Sequence, residues 1–159
     1  MTLMQERLSV VLPTYNERES IAPLIQKLFS ISGVYDLEIL IVDDDSTDGT
    51  AELVKELARN DNRIRLIRRL GRSGLSSAIK EGLLASISDF AAVMDSDGQH
   101  EPSDVINAFI YLKRNNLDIV AGSRFLSEAS IRGLSTRRTG GSFWANRISR
   151  LSLSDRYSA

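Results

Sequence analysis

The sequence predicts an α/β domain in which a mainly parallel sheet is covered by helices on both faces. Three observations predict it. Five short apolar runs, at residues 7–12, 37–42, 63–67, 89–94 and 117–121, alternate with segments whose apolar residues recur at helical spacing. Parallel neighbours need a crossover of helical length, so this rhythm points to right-handed βαβ units. The second run, LEILIV, is nearly continuous in apolar residues, as expected of a strand covered on both faces. Finally, four of the runs pass directly into polar clusters, at residues 13–17, 43–45, 95–99 and 122–124. In an open parallel sheet, ligands bind outside the carboxyl ends of the strands, where these clusters fall.

The first run, RLSVVL, is expected to stop at Pro13, which cannot donate to a ladder. After TYNE at 14–17, residues Ile21, Leu24, Ile25, Leu28 and Phe29 share one helical face, and Gly33 is expected to end that helix. The second strand runs into Asp43, Asp44 and Asp45, followed by Ser46-Thr47-Asp48-Gly49. Ser, Thr or Asp can cap the helix carrying Leu53, Val54 and Leu57, which leaves two of the three leading carboxylates without a structural reason. Asp43 and Asp45 can equally be capping or solvated.

The third run leads into RRLGRSG at 68–74, a basic loop with neither P-loop nor dinucleotide glycine spacing, and then into a helix around Ala78, Ile79, Leu83 and Leu84. The fourth region reads DFAAVMDSDGQHEP. Taken alone it is a strand ending in a polar turn, with Gly98 at the bend and Asp97 or Ser103 capping the next helix. Period-2 geometry also sends Asp95 and Asp97 to one side, where a hard cation could be shared. His100 reads as a loop residue or a support for a ligand rather than a ligand itself. A helix with Val105, Ile106, Phe109 and Leu112 inward follows, then LDIVA as a fifth strand closed by Gly122-Ser123-Arg124. Further on, Phe143, Trp144, Ile148, Leu151 and Leu153 suggest a short amphipathic helix among arginines, either completing the core or lying at a membrane surface.

With 159 residues, 42% of them hydrophobic, the chain suits one domain with a real core. It holds no apolar run of ~18 residues and no leader pattern, so a cytoplasmic location is expected. The absence of cysteine excludes disulfides and thiolate metal sites, and the single histidine excludes a multi-histidine zinc site within one chain. A metal must therefore sit on oxygen ligands, which favours Mg2+ or Mn2+. The net charge of −1 hides an asymmetry: from Arg124 onward seven arginines face only Glu128 and Asp155. A basic segment on an acidic body suggests an anionic partner, whether a phosphate group, a lipid surface or nucleic acid; a solvated helix face is the plainer account.

Five stretches in register, VVLPTYNE (10–17), VDDDSTDGT (42–50), GLSSAIKEG (74–82), MDSDGQHEP (94–102) and GSRF (122–125), resemble the family 2 glycosyltransferases. Among these the polyprenyl- or dolichyl-phosphate sugar transferases are the most similar. The resemblance implies the nucleotide-diphosphosugar transferase (GT-A) fold, a three-layer α/β/α Rossmann-like domain with a mainly parallel sheet. Residues 1–125 would form the nucleotide-sugar-binding core, and residues 126–159 a basic, acceptor-side, membrane-proximal segment of the same domain, incomplete. The implied activity is metal-dependent, inverting transfer of a hexose from a GDP- or UDP-sugar to a polyprenyl phosphate, with peripheral membrane contact and no nucleic-acid partner. By position, Pro13, Tyr15 and Glu17 would line the nucleotide pocket, with Val42 and Asp44 at base and ribose and Ser96 beside the nucleotide. Asp95 and Asp97 would hold the metal, with Gln99 a further ligand, and Arg124 would meet the diphosphate; Asp97 and Arg124 are the residues expected to be catalytic.

Inversion requires a nucleophile opposite the leaving group. A sugar hydroxyl needs a general base, whereas a lipid phosphate is already ionised near neutral pH. No base stands out beyond the assigned acids, which favours the phosphate acceptor. SDRYSA resembles the start of a D-x-x-S-G-F motif but has Ala159 where the motif has glycine. The chain is therefore expected to be truncated at its C-terminus, binding donor and metal with impaired or absent turnover. A saccharide-acceptor transferase and a non-catalytic nucleotide-sugar or lipid-binding module stay open. A sugar-1-phosphate nucleotidyltransferase would need a Gly-rich N-terminal loop that is missing here.

Overall fold

The computed structural model describes residues 6–33 and 35–122. Eight elements alternate within them: β1 (Arg7–Thr14), α1 (Arg18–Ile31), β2 (Asp36–Asp43), α2 (Thr50–Asn60), β3 (Ile64–Arg68), α3 (Leu75–Ala85), β4 (Phe90–Val93) and α4 (Pro102–Arg114). The strands form one sheet in the order β3-β2-β1-β4, with every pairing parallel. The expected segment 126–159 lies outside the described residues.

Two apolar clusters show how the helices are distributed. Leu8, Val10, Leu12, Ile39 and Ile41 on one sheet face pack with Ile21, Leu24, Ile25 and Leu28 of α1, Val54 of α2, and Ile106 and Phe109 of α4. On the other face Val11, Leu40 and Val42 meet Ala78 of α3. Alternation along β1 and β2 thus buries both faces, as continuous apolar runs require. The helix α3 lies close because Gly82 has no side chain: a Cβ there would stand 2.3 Å from Val11 Cγ1 and 3.0 Å from Val42 Cγ2.

Glu38 is a buried acid within β2. Its side chain, 3% exposed overall, accepts hydrogen bonds from the Ser9 hydroxyl and the Arg65 guanidinium and from the Ile87 amide at 3.3 Å. Arg65 also donates to the Ala85 carbonyl at 2.9 Å, so the network ties β1, β2 and β3 to the end of α3. Burial pushes the Glu38 carboxyl up, but the bonds from Ser9, Arg65 and the Ile87 amide outweigh it and hold the group below its ordinary range.

Three expectations are corrected. β1 does not stop before Pro13; it runs to Thr14, with Pro13 opposite Val42 of β2. Backbone groups alternate between the two neighbours, and Thr14 turns its carbonyl towards β2, where it accepts the Asp44 amide at 2.9 Å. Pro13 therefore faces the β4 side, where pairing already ends at Val11–Val93, so its missing donor breaks no ladder bond. Second, residues 117–121 form no strand, and Ile119 is 83% exposed. The helix α4 shares its face with α1 and α2, so a right-handed return from β4 leads back towards β1, which already has a neighbour on each side. Third, neither Asp97 nor Ser103 caps α4. Glu101 takes that place without a side-chain bond, and Pro102 at the first turn removes one orphan donor. The predicted helix stop at Gly33 stands, with φ +62°.

Two outcomes follow. Overpacking costs about 1–3 kcal/mol, more than the ~1 kcal/mol that alanine gains over glycine in a helix, so Gly82→Ala is expected to lower the thermal midpoint by roughly 2–6 °C. Scanning calorimetry checks this, and an unchanged or raised midpoint contradicts the close packing of α3. Because the folded Glu38 carboxyl titrates below its unfolded value of about 4.3, its contribution is fully present above that pH and is lost as pH falls through the folded value. Urea unfolding of Glu38→Gln at a series of pH values is expected to show lower stability at pH 7 and a flatter decline into acid than the parent. Parallel pH curves contradict the assignment.

Candidate functional site

All four strands end at the same edge of the sheet, which brings the segments after β1, β2, β3 and β4 together. The first two are stitched to each other by two hydroxyl relays. The Asn16 amide donates to Ser46 Oγ at 2.8 Å, and that hydroxyl donates to buried Asp43. The Glu17 amide donates to Thr50 Oγ1 at 3.0 Å, and that hydroxyl donates to Asp48 Oδ1. Asn16, with φ +55°, answers by accepting the Thr47 amide on Oδ1 at 2.9 Å. Asp48 also takes the Thr50 amide at 3.0 Å and the Arg18 amide at 3.1 Å. It thereby serves the start of α2, whose flanking residue Gly49 sits at φ +91° and offers no side chain. The Thr50 hydroxyl, with these amides, holds the Asp48 carboxyl below its ordinary range.

The acidic triplet and the basic loop are matched partners. Asp43 accepts the Ser46 amide at 3.0 Å. Asp44 accepts Arg69 Nη1 at 2.5 Å and the Gly74 amide at 2.8 Å. Asp45, at φ +57°, accepts Arg68 Nη2 at 3.1 Å and the Gly71 amide at 3.3 Å. The three carboxylates crowded in sequence thus diverge in space, each with its own donors, and RRLGRSG is folded around the last two. The side chains of Tyr15, Asp44, Asp45 and Arg72, with Gly71, Ser73 and Gly74, line an open cleft of about 550 Å3. A cleft of that size suits a small organic ligand. Tyr15 stands 59% exposed at its mouth, so its ring is free to stack.

The residues after β4 keep the strand's alternation. Met94 and Ser96 are buried, whereas Asp95 is half-buried and Asp97 exposed. Ser96 Oγ donates to the Pro13 carbonyl at 2.9 Å, which fastens this segment to the end of β1. Asp97 Oδ1 accepts the Gln99 amide at 2.9 Å across a turn in which Gly98 has φ +75°. His100 Nδ1 lies 3.6 Å from Asp95 Oδ2, beside the acid rather than in its place.

The edge therefore brings together Tyr15, Glu17, Asp44, Asp95, Asp97 and Gln99. Pro13, Val42 and Ser96 are buried beneath it: Val42 is fully enclosed in the apolar layer under α3, and all three support the edge from below. Arg124 lies outside the described residues. Sequence reasoning named residues 46–49 only as a helix cap, which Asp48 serves at the Thr50 amide, and missed how Ser46, Asp48 and Thr50 tie down the first loop, and above all Arg69. The spacings Asp43–Ser46 and Asp48–Thr50 are typical of side chains that bond nearby loop amides, and they were the available signal for three of these. Arg69 had none beyond an acidic triplet without visible counter-charges.

Comparison with known proteins places the chain in a family and a fold. The dolichol-phosphate mannosyltransferase of Pyrococcus furiosus is 38% identical over 125 residues, which cover 79% of this chain and 35% of that protein. The Saccharomyces cerevisiae protein of the same name is 38% identical over 104 residues, covering 64% of this chain and 39% of its own. The chain thus spans little more than a third of the length of these curated relatives. Among solved structures, the mannosyltransferase PcManGT from Pyrobaculum calidifontis, in complex with GDP-Man and Mn2+, superposes with a TM-score of 0.58 at 26% identity, over 69% of this chain and 33% of that one. S. aureus TarS in complex with UDP shares the fold, with a TM-score of 0.59 at 21% identity over 77% of this chain and 40% of that one. The sheet is the parallel α/β sheet of the GT-A glycosyltransferases. The family model described as glycosyl transferase family 2 matches residues 9–156, nearly the whole chain, and the protein belongs to that family.

Proposed function

We propose that this chain carries the donor-binding half of a metal-dependent, inverting glycosyltransferase that moves a hexose from a nucleotide-diphosphate sugar to a polyprenyl (dolichyl) phosphate. The observation that carries the reading is the convergence of the Tyr15, Asp44 and Asp95–Asp97 segments at one sheet edge beside an open cleft of about 550 Å3. GDP-mannose is the first donor to consider, because both relatives at 38% identity are named dolichol-phosphate mannosyltransferase and one solved neighbour holds GDP-Man with Mn2+.

In this reading Tyr15 stacks on the nucleoside and Asp44 supplies an acceptor at the cleft, while Glu17, whose carboxylate accepts the Ser20 hydroxyl at 2.7 Å, lines the neighbouring hollow. Pro13, Val42 and Ser96 set the height of the cleft floor. Asp95 and Asp97 suit Mg2+ or Mn2+ by the chemistry of the donor set: both are oxygen ligands, they project from alternate positions, and such ions commonly take one or two carboxylates and complete their shell with water and substrate phosphates. Gln99, on the same turn, is assigned as a further oxygen donor. When bound, the cation supplies charge neutralisation at the diphosphate as it departs. Arg124 is assigned to the same diphosphate, where a planar guanidinium matches phosphate oxygens in pairs.

The acceptor phosphate oxygen attacks the anomeric carbon as the bond to the diphosphate breaks, and the electron pair leaves on the diphosphate oxygen. A phosphate nucleophile is ionised at neutral pH, so the site needs no proton acceptor at that position. Contact with a membrane face is part of this proposal, because the acceptor's apolar tail resides there. No helix among the described residues is long and apolar enough to cross a membrane, and the proposed contact is peripheral, on the cytoplasmic side.

Isothermal titration with GDP-mannose and with UDP-sugars, with and without Mn2+, tests the reading. Binding is expected to need the metal, and Asp97→Ala is expected to weaken it by about tenfold or more. Equal affinity in the parent and Asp97→Ala, or affinity indifferent to Mn2+, contradicts the metal role of the pair.

A further inference from the structure

We infer that Arg69 is the positioning residue of the nucleoside half of the site, acting through Asp44 and the Gly71–Gly74 wall of the cleft. The inference rests on the donor-binding role proposed above. Arg69 directly follows β3, and its amide extends the ladder by donating to the Asp43 carbonyl at 2.8 Å. Its side chain then turns back under the loop and is buried, at 2% exposure. There the guanidinium works in three directions. Nη1 meets Asp44 Oδ1 at 2.5 Å and the Gly74 carbonyl at 3.2 Å, Nη2 donates to Ser77 Oγ, and Nε, without a hydrogen bond of its own, lies within ion-pair distance of Glu81 Oε2 at 3.3 Å.

This geometry does more than fill space. A buried cation must be paired, and Arg69 meets that demand with one acid from β2's end and one from α3. It thereby fixes the distance between the strand end and the helix start. The other Asp44 oxygen takes the Gly74 amide at 2.8 Å, so Asp44 is held on both oxygens and cannot swing. Gly74 has φ +129°, and Arg72 returns its amide to the Arg69 carbonyl at 3.1 Å, closing a tight turn over the guanidinium. Tyr15, Asp44, Gly71, Arg72, Ser73 and Gly74 face the cleft. Arg69 itself is behind them and sets where they stand. A lysine could keep the charge but not the fork: one ammonium cannot address Asp44, Ser77 and Glu81 with fixed directions.

The Asp95–Asp97 turn is fastened separately, through Ser96 to Pro13. Loss of the Arg69 fork should therefore impair recognition of the nucleoside and spare recognition of a metal-bound diphosphate. The experiment is isothermal titration of the 159-residue chain and its Arg69→Lys and Arg69→Met variants with GDP, with UDP, and with inorganic pyrophosphate, all in Mn2+, together with urea unfolding of each protein. Arg69→Lys is expected to weaken GDP and UDP by about tenfold, to leave pyrophosphate within about twofold of the parent, and to unfold near the parent's midpoint. Arg69→Met is expected to weaken the nucleotides further.

Nucleotide affinity in Arg69→Lys equal to the parent's overturns the inference. So does a matched loss of nucleotide and pyrophosphate, which would mark Arg69 as a general support of the fold. Should Arg69→Met fail to fold, the lysine variant alone decides the outcome. A parent chain that binds neither nucleotide nor pyrophosphate overturns the donor-site proposal, and this inference with it. A parent that binds both, beside a lysine variant that matches it, overturns this inference alone.

Discussion

The candidate site depends on where β1 loses its neighbours. β1 lies between β2 and β4, but the two ladders end at different heights: pairing with β2 continues to Thr14, whereas pairing with β4 stops at Val11. The crossover helices α1 and α2 lie on one sheet face and α3 on the other, so the winding reverses between β1 and β4. A crevice at that reversal is the general consequence in open parallel sheets. Here the open cleft lies on the β2 side of β1, lined by Tyr15, Asp44, Asp45 and residues 71–74. Towards β4, Pro13 presents no donor, and its carbonyl accepts the Ser96 hydroxyl, which ties the two strand ends together. The loops after all four strands then share one edge of the sheet.

What keeps those loops in place is charge and hydroxyl pairing more than apolar packing. Three successive aspartates repel one another and oppose burial. The chain resolves this by giving each its own donors: Ser46 for Asp43, Arg69 and Gly74 for Asp44, Arg68 and Gly71 for Asp45. The left-handed backbone at Asp45 turns the third carboxylate away from the second. Ser46 and Thr50 each accept an amide from the first loop and donate to an acid of the second, so both hydroxyls are used in both roles. A site assembled in this way loses little ordering entropy when a ligand arrives.

The fold was legible because its strands are short, apolar and evenly spaced, and because each is followed directly by its helix. The edge where the strands end together was legible for the same reason. The misses share a cause. Period and propensity describe a segment by itself, whereas Pro13, residues 117–121 and Arg69 are decided by what lies beside them. Pro13 fits inside a strand because the β4 ladder, on the side its nitrogen faces, has already ended. The segment 117–121 has strand composition but returns from a helix on a face that leads back to an occupied position. Arg69 looked like one of several basic loop residues until the fold set two acids around it. Val42 is the converse case: its place in a motif suggested contact with the nucleotide, and its alternation with Ile41 puts it under Gly82.

The central claim is that the edge formed by the ends of β1, β2 and β4 receives a metal-bound nucleoside diphosphate, with the nucleoside in the cleft lined by Tyr15 and Asp44. Anomalous diffraction at the manganese edge, from crystals grown with GDP and Mn2+, tests it most directly. The account predicts a manganese peak between the carboxylates of Asp95 and Asp97, with the nucleoside against Tyr15 and Asp44. A manganese peak elsewhere on the chain, or a nucleotide bound away from Tyr15, would contradict it.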